Sequence, residues 1–349
     1  LHNDFYDPRL ETDDRLSNDI TSFESSLFLQ DNANILSNLS ANIGGRLYYF
    51  EENNYLSLEP RVSILYSPVN NITLKCGYGL THQFLHLITR NDISLPTDLW
   101  YPSSKKIKPE RSNEYVLGID VNYSYPEYFF SCEAYYRDMK NLLEFSEKAD
   151  FNINVPIEEI LTSGEGESYG LELFFNKRTG NISGWIGYTL SWTKRLFSEI
   201  NANKIFYPKY DRRHDLSLVL TYNLTALLSL GMTWTYSTGA GITLPLGQYQ
   251  LYNIGLNNNP SVRVNYSDRN GYKLPDYHKM DLNISYKFSW FNLPFQAYLN
   301  FYNLYNRKNS FAQYVAKEED PENPEKVKLK LKQITLFPFI PTAGVNINF

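Results

Sequence analysis

Over long stretches of this chain every second residue is apolar, and that period dictates strands rather than helices. From Lys279 to Trp290, one face carries Met280, Leu282, Ile284, Tyr286, Phe288 and Trp290, and the other Asp281, Asn283, Ser285, Lys287 and Ser289. The next run sets Phe295, Ala297, Leu299 and Phe301 against Gln296, Tyr298 and Asn300. Leu228–Ser237, Asp215–Tyr222 and Tyr169–Asn176 repeat the pattern. No run of 18 apolar residues occurs, which excludes a transmembrane helix but not a barrel, whose strands alternate.

A soluble Tyr-rich sandwich also alternates, so the choice rests on two further features. Aromatic residues are 16% of the chain, with 29 Tyr and 21 Phe. On the apolar faces they gather toward strand ends, as at Trp192, Trp234, Tyr236, Phe288 and Trp290, where the aromatic girdles of a membrane barrel lie. Connection lengths alternate as well. Short links are expected near Asp31–Asn34, Pro68–Asn70, Tyr125–Glu127, Arg178–Asn181, Asn223–Ala226, Phe291–Leu293 and Pro338. Longer ones are expected near Phe50–Asn54, Leu85–Pro109, Ser146–Ser163, Leu196–Tyr210, Gly241–Asp276 and Lys308–Glu325. Short turns at one end and long loops at the other are the asymmetry of outer-membrane barrels. The expected fold is all-β, a transmembrane antiparallel barrel of about fourteen strands, with residues 1–349 as one partial barrel unit. Its location is a Gram-negative outer membrane and its first partner is lipid. An open edge is expected near residues 22–30, on the first strand.

The last strand reads Gly344-Val345-Asn346-Ile347-Asn348-Phe349. Val345, Ile347 and Phe349 share a face, and a terminal aromatic on an alternating strand looks like the signal read by the barrel-assembly machinery, which captures an edge strand.

Six short motifs in order resemble the TonB-dependent receptor family, from about residue 20 onward. They are Glu59-Pro60-Arg61, Lys108-Pro109-Glu110 with Ser112 and Tyr115, Gly166 with Gly170 and Glu172, Tyr210-Asp211-Arg212-Arg213-His214, Leu274-Pro275-Asp276-Tyr277, and Tyr302-Asn303-Leu304-Tyr305-Asn306. The resemblance implies a 22-stranded barrel around a plug, of which this sequence matches about the last fourteen strands and neither the plug nor a TonB box. It implies energy-coupled import of a scarce nutrient (a chelated metal, a glycan or a peptide). The TonB complex would be engaged through the missing N-terminal region, and a surface lipoprotein is a further candidate partner. An adhesion barrel and a passive porin are the alternatives. For the motif charges at the outer strand end, Arg212, Arg213, His214 and Asp215, a structural role is expected, pinning loops or touching the plug, and Glu172 is expected to pair with an inward base such as Lys75.

Chemistry is sparse. His82 and His86 have helical metal-ligand spacing but sit in strand-like sequence, and Cys76 and Cys132 show no disulfide or metal pattern. No metal or cofactor is expected. A hydrolase would have to recruit His214 or His278 without a G-x-S-x-G elbow, so no enzyme activity is expected. A net charge of -5 gives no electrostatic case for nucleic acid. Ligand capture is placed on outer loops, at Asp98, Trp100, Tyr101, Tyr249, Tyr252 and Tyr266, where aromatic faces can stack on a solute.

Overall fold

A computed structural model describes residues 22–88, 99–124, 127–149, 155–251, 261–320 and 323–347. The strands begin with β1 (Glu24–Leu36), β2 (Leu39–Phe50), β3 (Tyr55–Val69) and β4 (Ile72–Gln83), followed by a small hairpin of β5 (Leu85–Ile88) and β6 (Leu99–Pro102). Then come β7 (Glu110–Ser124), β8 (Glu127–Phe145), β9 (Leu161–Lys177), β10 (Ile182–Phe197), β11 (His214–Asn223) and β12 (Leu228–Ser237). The following loop carries β13 (Gly241–Ile242), β14 (Pro245–Leu251), β15 (Ser261–Tyr266) and β16 (Tyr272–Lys273). The chain continues with β17 (Tyr277–Trp290), β18 (Leu293–Tyr302), a charged hairpin of β19 (Ser310–Asp320) and β20 (Asn323–Thr335), and β21 (Ile340–Ile347).

Thirteen of these strands form one antiparallel meander, in the order β1-β2-β3-β4-β7-β8-β9-β10-β11-β12-β17-β18-β21, one fewer than the count expected from sequence. Among the described residues β1 pairs only with β2 and β21 only with β18. The open edge expected near residues 22–30 is therefore present. Among the described residues no helix is long and apolar enough to cross a membrane.

The ends of the sheet differ as expected. Tight reversals at 37–38, 70–71, 178–181, 224–227 and 291–292 lie at one end, and connections 84–109, 146–160, 198–213, 238–276 and 303–339 lie at the other. In the 291–292 turn both residues take positive φ, 49° at Phe291 and 59° at Asn292, as a type I′ hairpin demands. Two expected links moved. Asp31–Asn34 lies inside β1, where Asn32 meets Asn42 across the ladder, and the chain turns after Leu36 instead. Pro338 belongs to the long connection after β18, not to a turn at the short end.

Register sets the two faces. On the apolar face Tyr78, Tyr115, Tyr136, Tyr169 and Trp192 fall in one continuous row across β4, β7, β8, β9 and β10. Tyr169 and Trp192 stack at 5.4 Å. A second row lies toward the tight turns, where Tyr123 faces Tyr128 and Tyr128 stacks on Phe175 at 5.7 Å. The register couples Tyr115 with Tyr136 and Tyr123 with Tyr128. The two rows are thus separated along β7 and β8 by about 26 Å at 3.3 Å per residue. At a tilt of about 35–45° that is about 19–22 Å along the membrane normal, close to but below an apolar band about 25 Å tall.

Burial is inverted relative to a soluble protein. On the apolar face Leu117 is 63% exposed and Tyr123 60%, while Ser131 and Ser285 on the polar face are 8% and 6% exposed. Contiguous exposed apolar surface on this scale marks a lipid or partner interface. Among the described residues the strand carrying Met280–Trp290 contacts chiefly its two ladder neighbours, with no second sheet packed on it.

Candidate functional site

The polar face carries cross-strand side-chain ladders. Lys75 contacts Asp120 at 2.8 Å and also pairs with Glu133; Glu172, the expected partner, is not among its contacts. Register explains the correction: Lys75 lies opposite Gly118, Gly118 opposite Glu133, and Glu172 one strand further on. The absent side chain at Gly118 leaves room for the long ammonium arm, since a Cβ there would sit 2.9 Å from both the Lys75 and Glu133 side chains. Arg137 pairs with Glu114 at 2.6 Å, and Gln296 donates to Ser285 at 2.6 Å. The motif glycine Gly170 lies under the Tyr135 ring, where a Cβ would approach 2.9 Å from the ring and 2.6 Å from the Leu190 carbonyl oxygen. A wall of polar groups joined across the strands suits water, as a barrel interior requires.

At the outer ends of the strands the loops build two small apolar cores. In the first, Ile88, Ile107 and Leu143 pack with Tyr101, Phe145, Ile157 and Leu161. They seal in a Ser–His–Glu arrangement: His86 Nε2 lies 2.9 Å from Ser103 Oγ and its Nδ1 3.3 Å from Glu110 Oε1. These are triad distances, but Ser103 is 0% and His86 1% exposed. No substrate reaches a hydroxyl so enclosed, so the trio pins the β5–β6 hairpin onto β7. Neither His86 nor Ser103 was singled out for this role by sequence spacing, because the contact closes over a loop.

The second core is Leu142, Phe197, Ile200 and Phe206 with Met139. Beside it Glu144 holds two guanidinium groups, Arg195 at 2.5 Å and Arg269 at 2.8 Å. Arg195 also reaches the Tyr210 hydroxyl. Asn201 Oδ1 accepts from the Arg269 backbone N–H at 2.9 Å, and Asn270 donates to the Tyr207 carbonyl at 2.9 Å. Asp211, 3% exposed, accepts from the Thr193 backbone N–H at 2.9 Å and pairs with Arg213 at 3.4 Å. The Arg213 guanidinium lies 4.5 Å over the Trp192 ring. Arg212 donates to the Thr238 carbonyl at 2.8 Å, and the Tyr188 hydroxyl lies 2.8 Å from His214 Nδ1. The contacts of Arg212, Arg213 and His214 tie neighbouring strands and loops together.

The expected ligand residues are spread over separate hairpins. Trp100, 42% exposed, and Tyr101 are neighbours on β6, opposite Leu87 and His86. Tyr249 lies on β14 opposite Arg263, and Tyr266 ends β15, 58% exposed. Asp98, Tyr252 and Phe349 lie outside the described residues, while Val345 and Ile347 stand on the outward face of the edge strand, 57% and 42% exposed. Tyr101 is a packing residue of the first core. Burial, then the neighbouring Glu158 carboxylate, pushes its phenol from 10.0 up to about 12. The neutral phenol is thus favoured in the folded state, and the resulting stability is complete below pH 10 and lost as pH rises from 10 to about 12. In a phenolate absorbance titration Tyr101→Phe should remove one of the late-ionising tyrosines, a loss of amplitude near pH 12; an unchanged titration curve would contradict the burial. Among the described residues no group of three or more metal-ligating side chains is assembled.

The comparisons agree with this architecture. The family described as TonB dependent receptor-like, beta-barrel, matches residues 2–304. No curated protein matches. Among solved structures, the ferripyoverdine receptor of the Pseudomonas aeruginosa outer membrane is 15% identical, with a TM-score of 0.57 over 83% of this chain and 35% of its own. The ferric-catecholate import receptor Fiu of E. coli is 16% identical, with a TM-score of 0.55 over 94% of this chain and 45% of its own. The siderophore receptor PiuA of Acinetobacter baumannii is 15% identical, with a TM-score of 0.60 over 93% and 43%. The chain therefore spans less than half the length of these receptors. With an inverted, girdled sheet and a match over most of its length, the chain belongs to the TonB-dependent receptor β-barrel family.

Proposed function

We propose that this chain is the C-terminal part, as a single unit, of an outer-membrane barrel importing a scarce nutrient with energy from the TonB complex. The supporting observation is the combination of a polar wall with packed, ion-paired loops above it: a conduit under a structured mouth. A passive porin needs no such roof. An adhesion barrel would need the loops but not the polar cross-strand pairs of Lys75 with Glu133, Arg137 with Glu114 and Gln296 with Ser285. The solved receptors of similar fold take ferripyoverdine and ferric-catecholate ligands, so a ferric chelate is the first substrate class to try, ahead of glycans and peptides. Trp100, Tyr249 and Tyr266, with Asp98 and Tyr252, would meet it, and Tyr101 would support them from beneath. Val345, Ile347 and Phe349 would be the strand taken up by the assembly machinery. A surface lipoprotein remains a candidate partner.

The full-length receptor should support uptake of a radiolabelled ferric chelate in iron-starved cells, and that uptake should vanish when TonB is deleted. Uptake persisting without TonB would favour the porin; binding to cells without uptake would favour adhesion.

A further inference from the structure

Charge is spread unevenly around the polar face. On β4, β7, β8 and β9 that face carries Lys75, Glu114, Asp120, Glu133, Arg137 and Glu172. On β11, β12, β17, β18 and β21 the charges between its two ends are, among the described residues, the single pair of Lys279 with Asp281 at 2.6 Å. Asp215 stands at the outer end of this sector and Lys287 at its inner end. Asp281 also accepts from the Asn303 backbone N–H at 2.8 Å, and the Lys279 ammonium lies 3.8 Å over the Tyr302 ring. Hydroxyl and amide groups make up most of the rest. From the loop end toward the tight turns come Ser217 with Thr235, then Thr233, then Thr221 with Asn283 and Asn300, then Ser229 with Ser285, then Gln296. These rows follow one another about 7 Å apart along the strands.

Partway down this ladder the wall is hollow. A recess of about 320 Å³ opens over Gly231, bounded by Thr221, Thr233, Asn283, Asn300 and Tyr302. It lies between the outer aromatic level, where Tyr236 faces His278, and the inner one at Tyr286. A Cβ at Gly231 would meet nothing nearer than the Asn283 Cβ at 3.4 Å. Packing therefore does not demand glycine there, and the missing side chain is what leaves the hollow open. Asn283 donates to Asn300 at 2.5 Å, which leaves each amide with further capacity to donate and accept. Among the described residues the Thr221 and Thr233 hydroxyls have no hydrogen-bond partner. A hollow of this size with a few convergent hydrogen-bonding groups has the form of a small-solute site.

We propose that this uncharged sector is the track along which an imported solute crosses the barrel, with the recess over Gly231 as its resting site at mid-depth. The class it takes is a solute offering neutral amide, hydroxamate or hydroxyl groups. The proposal rests on the import reading of the preceding section. Passage needs sites that bind enough to admit a solute and weakly enough to release it, repeated at close spacing. Rows of neutral donors and acceptors meet that requirement, since each hydrogen bond exchanged for one to water contributes only about 0.5–1.5 kcal/mol. The charged sector does not meet it. Lys75 is engaged with Asp120 and Glu133, and Arg137 with Glu114, so a solute moving there either parts these pairs or is held by a charge. The recess, in turn, offers an ionic group no free counter-charge, because Asp281 and Lys279 already hold each other.

The test uses the full-length receptor in iron-starved cells and two radiolabelled probes, a neutral ferric trihydroxamate and a strongly anionic ferric tricatecholate. Surface binding and uptake are measured separately, and folding is checked by heat-modifiable migration on a gel. At equal surface occupancy the neutral chelate should be taken up faster. Thr221→Val with Thr233→Val removes both unpartnered hydroxyls and keeps side-chain shape. Its uptake should fall about threefold or more, with surface binding unchanged. Gly231→Trp fills the recess and should lower uptake about tenfold, with binding again unchanged. Gly77→Trp puts the same bulk on the polar face of the charged sector, where a Cβ would meet only Val116 and Val62 atoms, at 3.9 Å. That variant should stay within about twofold of wild type. Unchanged uptake in both recess variants would overturn the proposal. So would an equal loss in Gly77→Trp and Gly231→Trp, weakened surface binding in the threonine variant, or faster uptake of the tricatecholate. If Gly231→Trp fails to fold, the threonine variant decides. Absence of TonB-dependent uptake of both chelates defeats the ferric-chelate reading of the preceding section and this proposal with it; TonB-dependent uptake that ignores the recess variants defeats this proposal alone.

Discussion

Glu144→Ala should loosen the outer mouth without unfolding the wall beneath it. Glu144, Arg195 and Arg269 have side chains only 11%, 16% and 14% exposed, and the one carboxylate neutralises both guanidinium groups. Removing it leaves two partly buried cations facing each other, and breaking a buried pair from one side costs about 3–5 kcal/mol. That cost falls on the connections 198–213 and 238–276, whose further ties nearest to Glu144 are the short bridge of Arg195 with Phe206, the Asn201 and Asn270 hydrogen bonds, and the second apolar core, with the Asp211 contacts to Thr193, Arg213 and Lys273 farther along. The ladders of β8 with β9 and of β9 with β10 do not depend on Glu144 and should hold. Hydrogen exchange should therefore rise steeply in residues 198–211 and 268–272 and stay unchanged in 165–177. Glu144→Gln should lie between, since its amide oxygen still accepts from one arginine while its NH2 opposes the other. Equal protection of these loops in wild type and Glu144→Ala would mean that the apolar core alone holds the roof.

The strand faces were legible in sequence because each face meets a different solvent, so a period of two survives over β17, β18, β12 and β9 with few exceptions. The end of the sheet at which most loops lie was legible for a related reason, that only one end tolerates long connections, though Pro338 was assigned to the wrong end. Asp31–Asn34 misled because Asp and Asn favour turns, yet here Asn32 is held in a ladder by Asn42. Partner choice on the polar wall was not legible. Whether Lys75 reaches Glu133 or Glu172 depends on which strand stands next to which, and on a glycine at 118 that lets the side chain cross. The roof was least legible. Glu144 meets partners 51 and 125 residues away, and no local spacing encodes a contact closed by three loops. The Tyr210–Asp215 segment was readable in part, since its charge density at a strand start pointed to pinning, though not to Trp192 or Asp211 as the groups pinned.

The assignment of faces makes a pair of substitutions come out with opposite signs. Ile119 lies on the apolar face of β7, midway between Tyr115 and Tyr123 and opposite Cys132. Ile119→Lys puts an ammonium near the centre of the hydrocarbon band, where a basic residue costs about 2–4 kcal/mol. Neighbouring outward residues, Leu117 and Val121, offer it no counter-charge. Thr189 lies at the same level on the other face, between Glu172 on β9 and Asp215 on β11. Thr189→Lys places the same ammonium between two carboxylates, in water, where exposed cross-strand pairs contribute about 0.2–1 kcal/mol each. The first variant should assemble poorly and unfold at lower urea in lipid vesicles; the second should match or slightly exceed wild type. The contrast separates a lipid-facing wall from a soluble sheet, because in a soluble sheet with both faces wet Ile119→Lys would be nearly neutral. If Thr189→Lys proved the damaging change and Ile119→Lys the silent one, the polar face would be the outside of the barrel, and the conduit under the Glu144 roof would have no wall.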